Sequence, residues 1–268
     1  MRWNRRPLVL GLALIAVPAL LPAQTAAEHV AMGIEELTQK FDPKAALAHY
    51  DAALAIDSMD LNANWRAAQA LVDLGKQTPD SLKSPERDSM YARAERLARR
   101  AVQVDSTSSK AHYILSAAIG RASLTKSKKE RVKRAAEIRA EALKAIELNP
   151  AEDGAYHVMG RWNAEIMRLS GLTRFFAKNF LGGAIFNEAS WQGAIDNMNK
   201  AIEYHPDWIY HYLDLAEILI DREQYTAARA ALQKVEELPV ADAMDPHYKK
   251  DAQVYLSQIE GKKDKKQD

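Results

Sequence analysis

A spacing of small and large residues recurs along the chain and leaves little freedom in how it can fold. A small or apolar residue, a second one four positions on and a third after three more occur as Ala46, Tyr50 and Ala53 and as Ala94, Ala98 and Ala101. The same spacing returns as Ile138, Ala142 and Ala145, as Ala194, Met198 and Ala201, and as Ala228, Leu232 and Val235. Steps of four and three keep all three residues on one helix face. Each set closes a few residues later, at Ser58, Ser106, Pro150, Pro206 and Val240. Ahead of each lies another amphipathic stretch, so first helices are predicted over 30–40, 61–74, 109–121, 153–169 and 209–221. Small residues stand in these stretches at Ala68, Ser116, Gly160 and Ala216, where two backbones have to approach.

An amphipathic helix pair cannot bury its apolar stripe alone, so successive pairs stack into one continuous core. The spacing resembles the tetratricopeptide repeat, a unit of roughly 34 residues, and 209–240 fits one unit without interruption. The predicted fold is therefore all-α: a right-handed α-solenoid of about five tetratricopeptide-like pairs over 28–260. A C-terminal helix over 247–260, carrying Val254, Tyr255, Leu256 and Ile259, is expected to cap the last pair. Composition agrees, since Ala, Leu, Glu, Lys and Arg outnumber the β-branched residues, and 11 Gly and 10 Pro are few for 268 residues. Three insertions interrupt the array. Residues 75–88 form a polar loop with two prolines, with Asp88 or Ser89 expected to cap the next helix. Residues 125–137 are strongly charged and expected to be the solvated face of an extended helix. Residues 170–190 are apolar, and the final 261–268 are charged and expected to be disordered.

The N-terminus reads as an address. Arg2, Arg5 and Arg6 precede an apolar run of 14 residues from Leu8 to Leu21, followed by small residues up to Ala27. This is the pattern of a secretory signal peptide over 1–24, and the run is short for a spanning helix. Export to a periplasm or to the outside is expected, with an uncleaved membrane anchor as the alternative. Without those arginines the formal charge of +1 becomes 34 basic against 36 acidic residues, so no general nucleic-acid footprint is present. With no cysteine, disulfides and thiolate chemistry are excluded.

The segment from His157 to Trp162, His-Val-Met-Gly-Arg-Trp, followed by the apolar insertion and then Trp191 to Pro206, resembles the regulator of microtubule dynamics family. Trp65 to Ala68, Ala111 to Tyr113 and Ala142 to Pro150 add to the resemblance, which spans about 60–240. The family implies a helical-repeat, non-enzymatic interaction domain, and in some animal members phospholipid binding in an apolar concavity and membrane-contact tethering. An export signal stands here where those members carry an organelle anchor and long disordered and coiled-coil regions, so the cytoskeletal role in the family name is not carried over.

No constellation supports catalysis, and no cofactor is implied: the phosphate-loop, His-Glu-x-x-His and Gly-x-Ser-x-Gly patterns are absent from the sequence. His205 and His211 come without a clear third ligand, so no metal site is expected. The sharper candidates are arginines. Arg161 and Arg168, seven apart, share a helix face, and Arg174 follows among Phe175, Phe176, Phe180 and Phe186. That set would suit an amphiphile with an anionic head. The structural alternative pairs the arginines with Glu165 or another carboxylate and buries the phenylalanines. Trp162, Trp191, Trp208 and Tyr212 are either repeat core or a partner groove. The leading expectation is a scaffold that binds a protein or peptide through its concave face; the second is a lipid-binding or membrane-proximal carrier using 171–186.

Overall fold

Wherever an apolar stripe breaks, the chain turns. In a computed structural model, which describes residues 24–171 and 184–265, every regular element among those residues is helical. The pairs are α1 (Ala26–Gln39) with α2 (Pro43–Ile56), α3 (Leu61–Lys76) with α4 (Pro85–Val104), and α5 (Ser109–Ala122) with α6 (Lys128–Leu148). They continue as α7 (Asp153–Arg168) with α8 (Trp191–Tyr204) and α9 (Ile209–Asp221) with α10 (Tyr225–Glu237), closed by α11 (Asp245–Gln258). Each helix packs on its predecessor and its successor, the pattern of a stacked α-solenoid. Among the described residues no helix is long and apolar enough to cross a membrane.

The repeat spacing produces the packing expected of it. Of the fifteen register residues, all but half-buried Ile138 are fully buried, including Ala46, Tyr50, Ala53, Ala94, Ala101, Ala145, Ala194, Ala201 and Ala228. The turns after the second helices are equally regular. Asp57, Asp105 and Asn149 are extended, and their N–H groups and that of His205 donate to the carbonyls of Ala53, Ala101, Ala145 and Ala201. Gly160 marks a close crossing of two backbones: a Cβ there would lie 2.8 Å from Met198 Cε and 3.2 Å from the Ala194 carbonyl of α8.

The starts of α1 to α6 and of α8 carry side-chain caps, with one difference from expectation. The cap of α4 is Ser84, whose hydroxyl accepts from Arg87 N at 3.1 Å. Pro85 fills the first helical position, where its missing N–H costs nothing, and Asp88 becomes an acid of the first turn. The charged insertion exposes Lys126, Lys129, Arg131 and Lys133 as expected, with Arg134 the exception. After a Ser127–Glu130 capping box, Arg134 turns inward to pair with Glu95 and donates to Ser123 Oγ at 2.8 Å. On α11 the buried face is Tyr248, Ala252 and Ile259, with Tyr255 beside them, while Val254 is 48% exposed. Steps of three and four set that face, and Val254 falls off it. The tail as far as Lys265 is tied back: Thr226 N donates to Asp264 at 2.8 Å, and Lys265 N to the Glu223 carbonyl at 3.2 Å. The segment expected to be a signal peptide lies, up to residue 23, outside the described residues.

The solenoid winds tightly enough for distant repeats to touch through Tyr210 on α9. Its hydroxyl accepts from Arg121 of α5 at 2.9 Å, and its ring stacks on Tyr248 of α11 at 4.6 Å. Lys76, the last residue of α3, lies 4.5 Å from the same ring centre. The first helices of four successive pairs thus enclose a shared inner space.

Candidate functional site

Two polar stripes face each other across the α7–α9 contact. On α7 they are Asp153, His157, Arg161, Glu165 and Arg168, spaced by four and three; on α9 they are His211, Asp214, Glu217 and Asp221, spaced likewise. Such spacing aligns each set along one helix face. Asp153 Oδ2 lies 3.1 Å from His211 Nε2 and 3.2 Å from His205 Nδ1, the residue capping α8. His211 Nδ1 is 2.8 Å from His157 Nδ1, and His157 Nε2 is 2.9 Å from Asp214 Oδ2. Arg161 continues the row, 3.4 Å from Asp214, 2.6 Å from Glu217 and 3.3 Å from Glu165. Arg168 ends it against Glu165 at 2.6 Å, Glu217 at 3.0 Å and Asp221 at 2.8 Å.

Burial and pairing compete along this row. Burial pushes the His157 imidazole down to about 4, against the pull of Asp214, and lowers His211 as well. Asp214 is 4% exposed, and burial alone would raise its carboxyl; Arg161 and His157 outweigh that and hold it below the ordinary carboxylate range. Burial would likewise weaken the Arg161 guanidinium, but Asp214 and Glu217 raise it well above its usual value. Pairing thus favours the charged forms of Arg161 and Asp214, while burial favours the neutral forms of the two imidazoles.

The row borders a cavity of about 780 Å³ walled mainly by first helices. Its polar lining includes Asp73, Lys76, Tyr113, Arg121, Arg161 and Tyr210. Its apolar lining includes Val132, Ile138, Trp162, Ile166, Leu169 and Phe186. Lys76 and Asp73 sit 3.4 Å apart in the wall, and burial lowers the one and raises the other. The surface offers charge of both signs beside a hydrophobic stretch.

Sequence-predicted site residues divide three ways. Arg161 and Arg168 do share a face, and both are taken up by α9 carboxylates as well as Glu165, the structural alternative of the sequence reading. Trp162 is 5% exposed, donates from Nε1 to the Ala135 carbonyl at 2.8 Å, and packs on Phe186, also 5% exposed. It is repeat core, and Phe186 is core with one edge on the cavity. Trp191, Trp208 and Tyr212 are half-buried. Arg174, Phe175, Phe176 and Phe180 lie outside the described residues. His157, Asp214, Lys76, Arg121 and Tyr210 were not singled out by the sequence. The signal that could have found the first two is the pair of polar stripes at helical spacing; nothing local marks the other three.

A family model described as regulator of microtubule dynamics protein 1-3 matches residues 33–260. Among solved structures, a thermophilic tetratricopeptide protein from Thermus thermophilus is 15% identical, with a TM-score of 0.58 over 87% of this chain and 99% of its own. A Pseudomonas aeruginosa pilF structure is 14% identical, with a TM-score of 0.49 over 87% of this chain and 90% of its own. The first likeness supports the solenoid fold and nothing finer. A search of curated proteins finds no match.

Proposed function

This chain belongs to the regulator of microtubule dynamics family, and from that premise we propose that it is a scaffold whose inner cavity receives a segment of a protein partner. The observation that carries this reading is the lining of the cavity. An extended peptide presents backbone amides, occasional charges and apolar side chains together, and the wall offers Asp73, Lys76 and Arg121 near Val132, Ile138 and Ile166. The tetratricopeptide-like fold fits an interaction role, and the inner face is where successive first helices present side chains at regular intervals. Export by the N-terminal segment, to a periplasm or the outside, belongs to the same proposal; a mature chain still beginning at Met1 would refute cleavage.

A second reading rests on the apolar half of the same wall. Trp162, Ile166, Leu169 and Phe186 would suit an acyl chain, with Arg121 or Lys76 near an anionic head. Photo-crosslinking decides between the two. A photoreactive residue at Gln69 or Ala117, both on the cavity wall and outside the ion-pair row, should yield a discrete protein adduct in the native host. An adduct with the mass of a lipid favours the second reading, and no adduct from either position removes the cavity from the function.

A further inference from the structure

We propose that Asp153, His205 and His211 bind a divalent transition-metal ion of the zinc class, with a coordination position left open to the cavity. The three come from different elements: the first residue of α7, the cap of α8 and the first turn of α9. One ligand atom from each lies within 4.8 Å of the others, and Asp153 Oδ2 is already 3.1 and 3.2 Å from the two imidazole nitrogens. Bonds of about 2.0–2.2 Å to nitrogen and oxygen space the ligand atoms of a tetrahedral ion by about 3.3 Å, so the site needs only small adjustment. Two imidazoles and a carboxylate without thiolate are donors that zinc accepts. All three residues line the cavity, which gives the fourth position to water or to a group of a bound ligand. Lys110, the nearby cation, is engaged by Glu152 at 2.7 Å.

A second observation comes from counting hydrogens behind the site. Asp153, His211, His157 and Asp214 meet at three junctions of 3.1, 2.8 and 2.9 Å. Each junction needs one hydrogen, ionised carboxylates supply none, and two neutral imidazoles supply two. One junction therefore sets lone pair against lone pair. A cation on His211 Nε2 removes the need for a hydrogen at the first junction. His211 Nδ1–H then donates to His157 Nδ1, and His157 Nε2–H to Asp214, so that all three junctions are satisfied. This is the outer-shell support that metal-bound histidines ordinarily have, extended by one imidazole.

The test is zinc titration of the chelator-treated full chain by calorimetry, with cobalt substitution as a spectroscopic readout. One zinc per chain is expected, with a rise in Tm and visible cobalt bands of low coordination number. His205→Ala removes a ligand that is 43% exposed at its side chain, with half-buried Trp208 beside it. It should leave the metal-free Tm unchanged and weaken zinc by about tenfold or more. Asp214→Asn should weaken zinc by about 10–100-fold through the outer shell. His49→Ala, which removes the His29–His49 pair at the far end, should change nothing. Absence of zinc binding in the wild type, equal affinity in His205→Ala, or loss confined to His49→Ala overturns the site.

Discussion

The second helices and the first helices of this solenoid solve different problems. The second helices, α2, α4, α6, α8 and α10, are held by close contact of small residues: Ala53, Ala101, Ala145 and Ala201 are fully buried, and their carbonyls end the first four of these helices in the same way. The first helices carry the charge and the aromatic hydroxyls that meet in the middle, with Arg121, His157, Arg161, Tyr210 and Asp214 linked across three pairs. The outer layer is repetitive and local. The inner layer is unique to each pair and depends on partners some fifty residues away. Stability and specificity are therefore carried by different faces of one array.

The comparison breaks most visibly at Asp214. Asp214→Ala leaves Arg161 and His157 without their buried partner and should cost about 3–5 kcal/mol in chemical denaturation. A loss no larger than that of an exposed pair would show that the inner row is ornamental to folding. Next in size is the outer layer: Ala98→Leu forces extra volume into a fully buried position of α4 and should cost about 1–3 kcal/mol while leaving the cavity unchanged. Retained stability there would mean that the small-residue register is less strict than its repetition implies.

Acid should separate the layers in the metal-free protein. The Asp214 carboxyl is held below its unfolded value of about 3.9, so its contribution is complete above that value and is lost as pH falls from about 4 downward. The urea midpoint should drop over that range, and Asp214→Asn should flatten the drop, whereas Ala98→Leu should shift the curve without changing its shape. The smallest effect is at a turn. Glu223 links α9 to α10 with φ of 56°, a left-handed backbone that side chains disfavour. Glu223→Gly should gain about 0.5–1 kcal/mol, read as a small rise in Tm.

Much of the outer layer was legible because its rule is local. The four-and-three spacing identifies buried positions from Ala46 to Val235, and the first helices at 61, 109, 153 and 209 begin where they were expected. The Ser84 cap was missed although Ser84-Pro85 announces it, since Asp88 also matched a cap by residue type alone. At the inner layer, Arg161 and Arg168 were legible as a face, and Glu165 as one partner. His205 and His211 were visible as a pair and lacked a third group, which Asp153 provides from more than fifty residues upstream.

The sequence alone determined that the chain is helical, that its helices come in stacked pairs, and which residues pack between them. Helical periodicity is a property of neighbours three and four apart, so it is written along the chain. Only the tertiary structure decided that the polar stripes of α7 and α9 face each other, that Tyr210 joins Lys76, Arg121 and Tyr248, and that an acid and two histidines converge at the cavity wall. Those meetings depend on how far each pair rotates against the last, a quantity summed over every contact in the stack and carried by no single spacing.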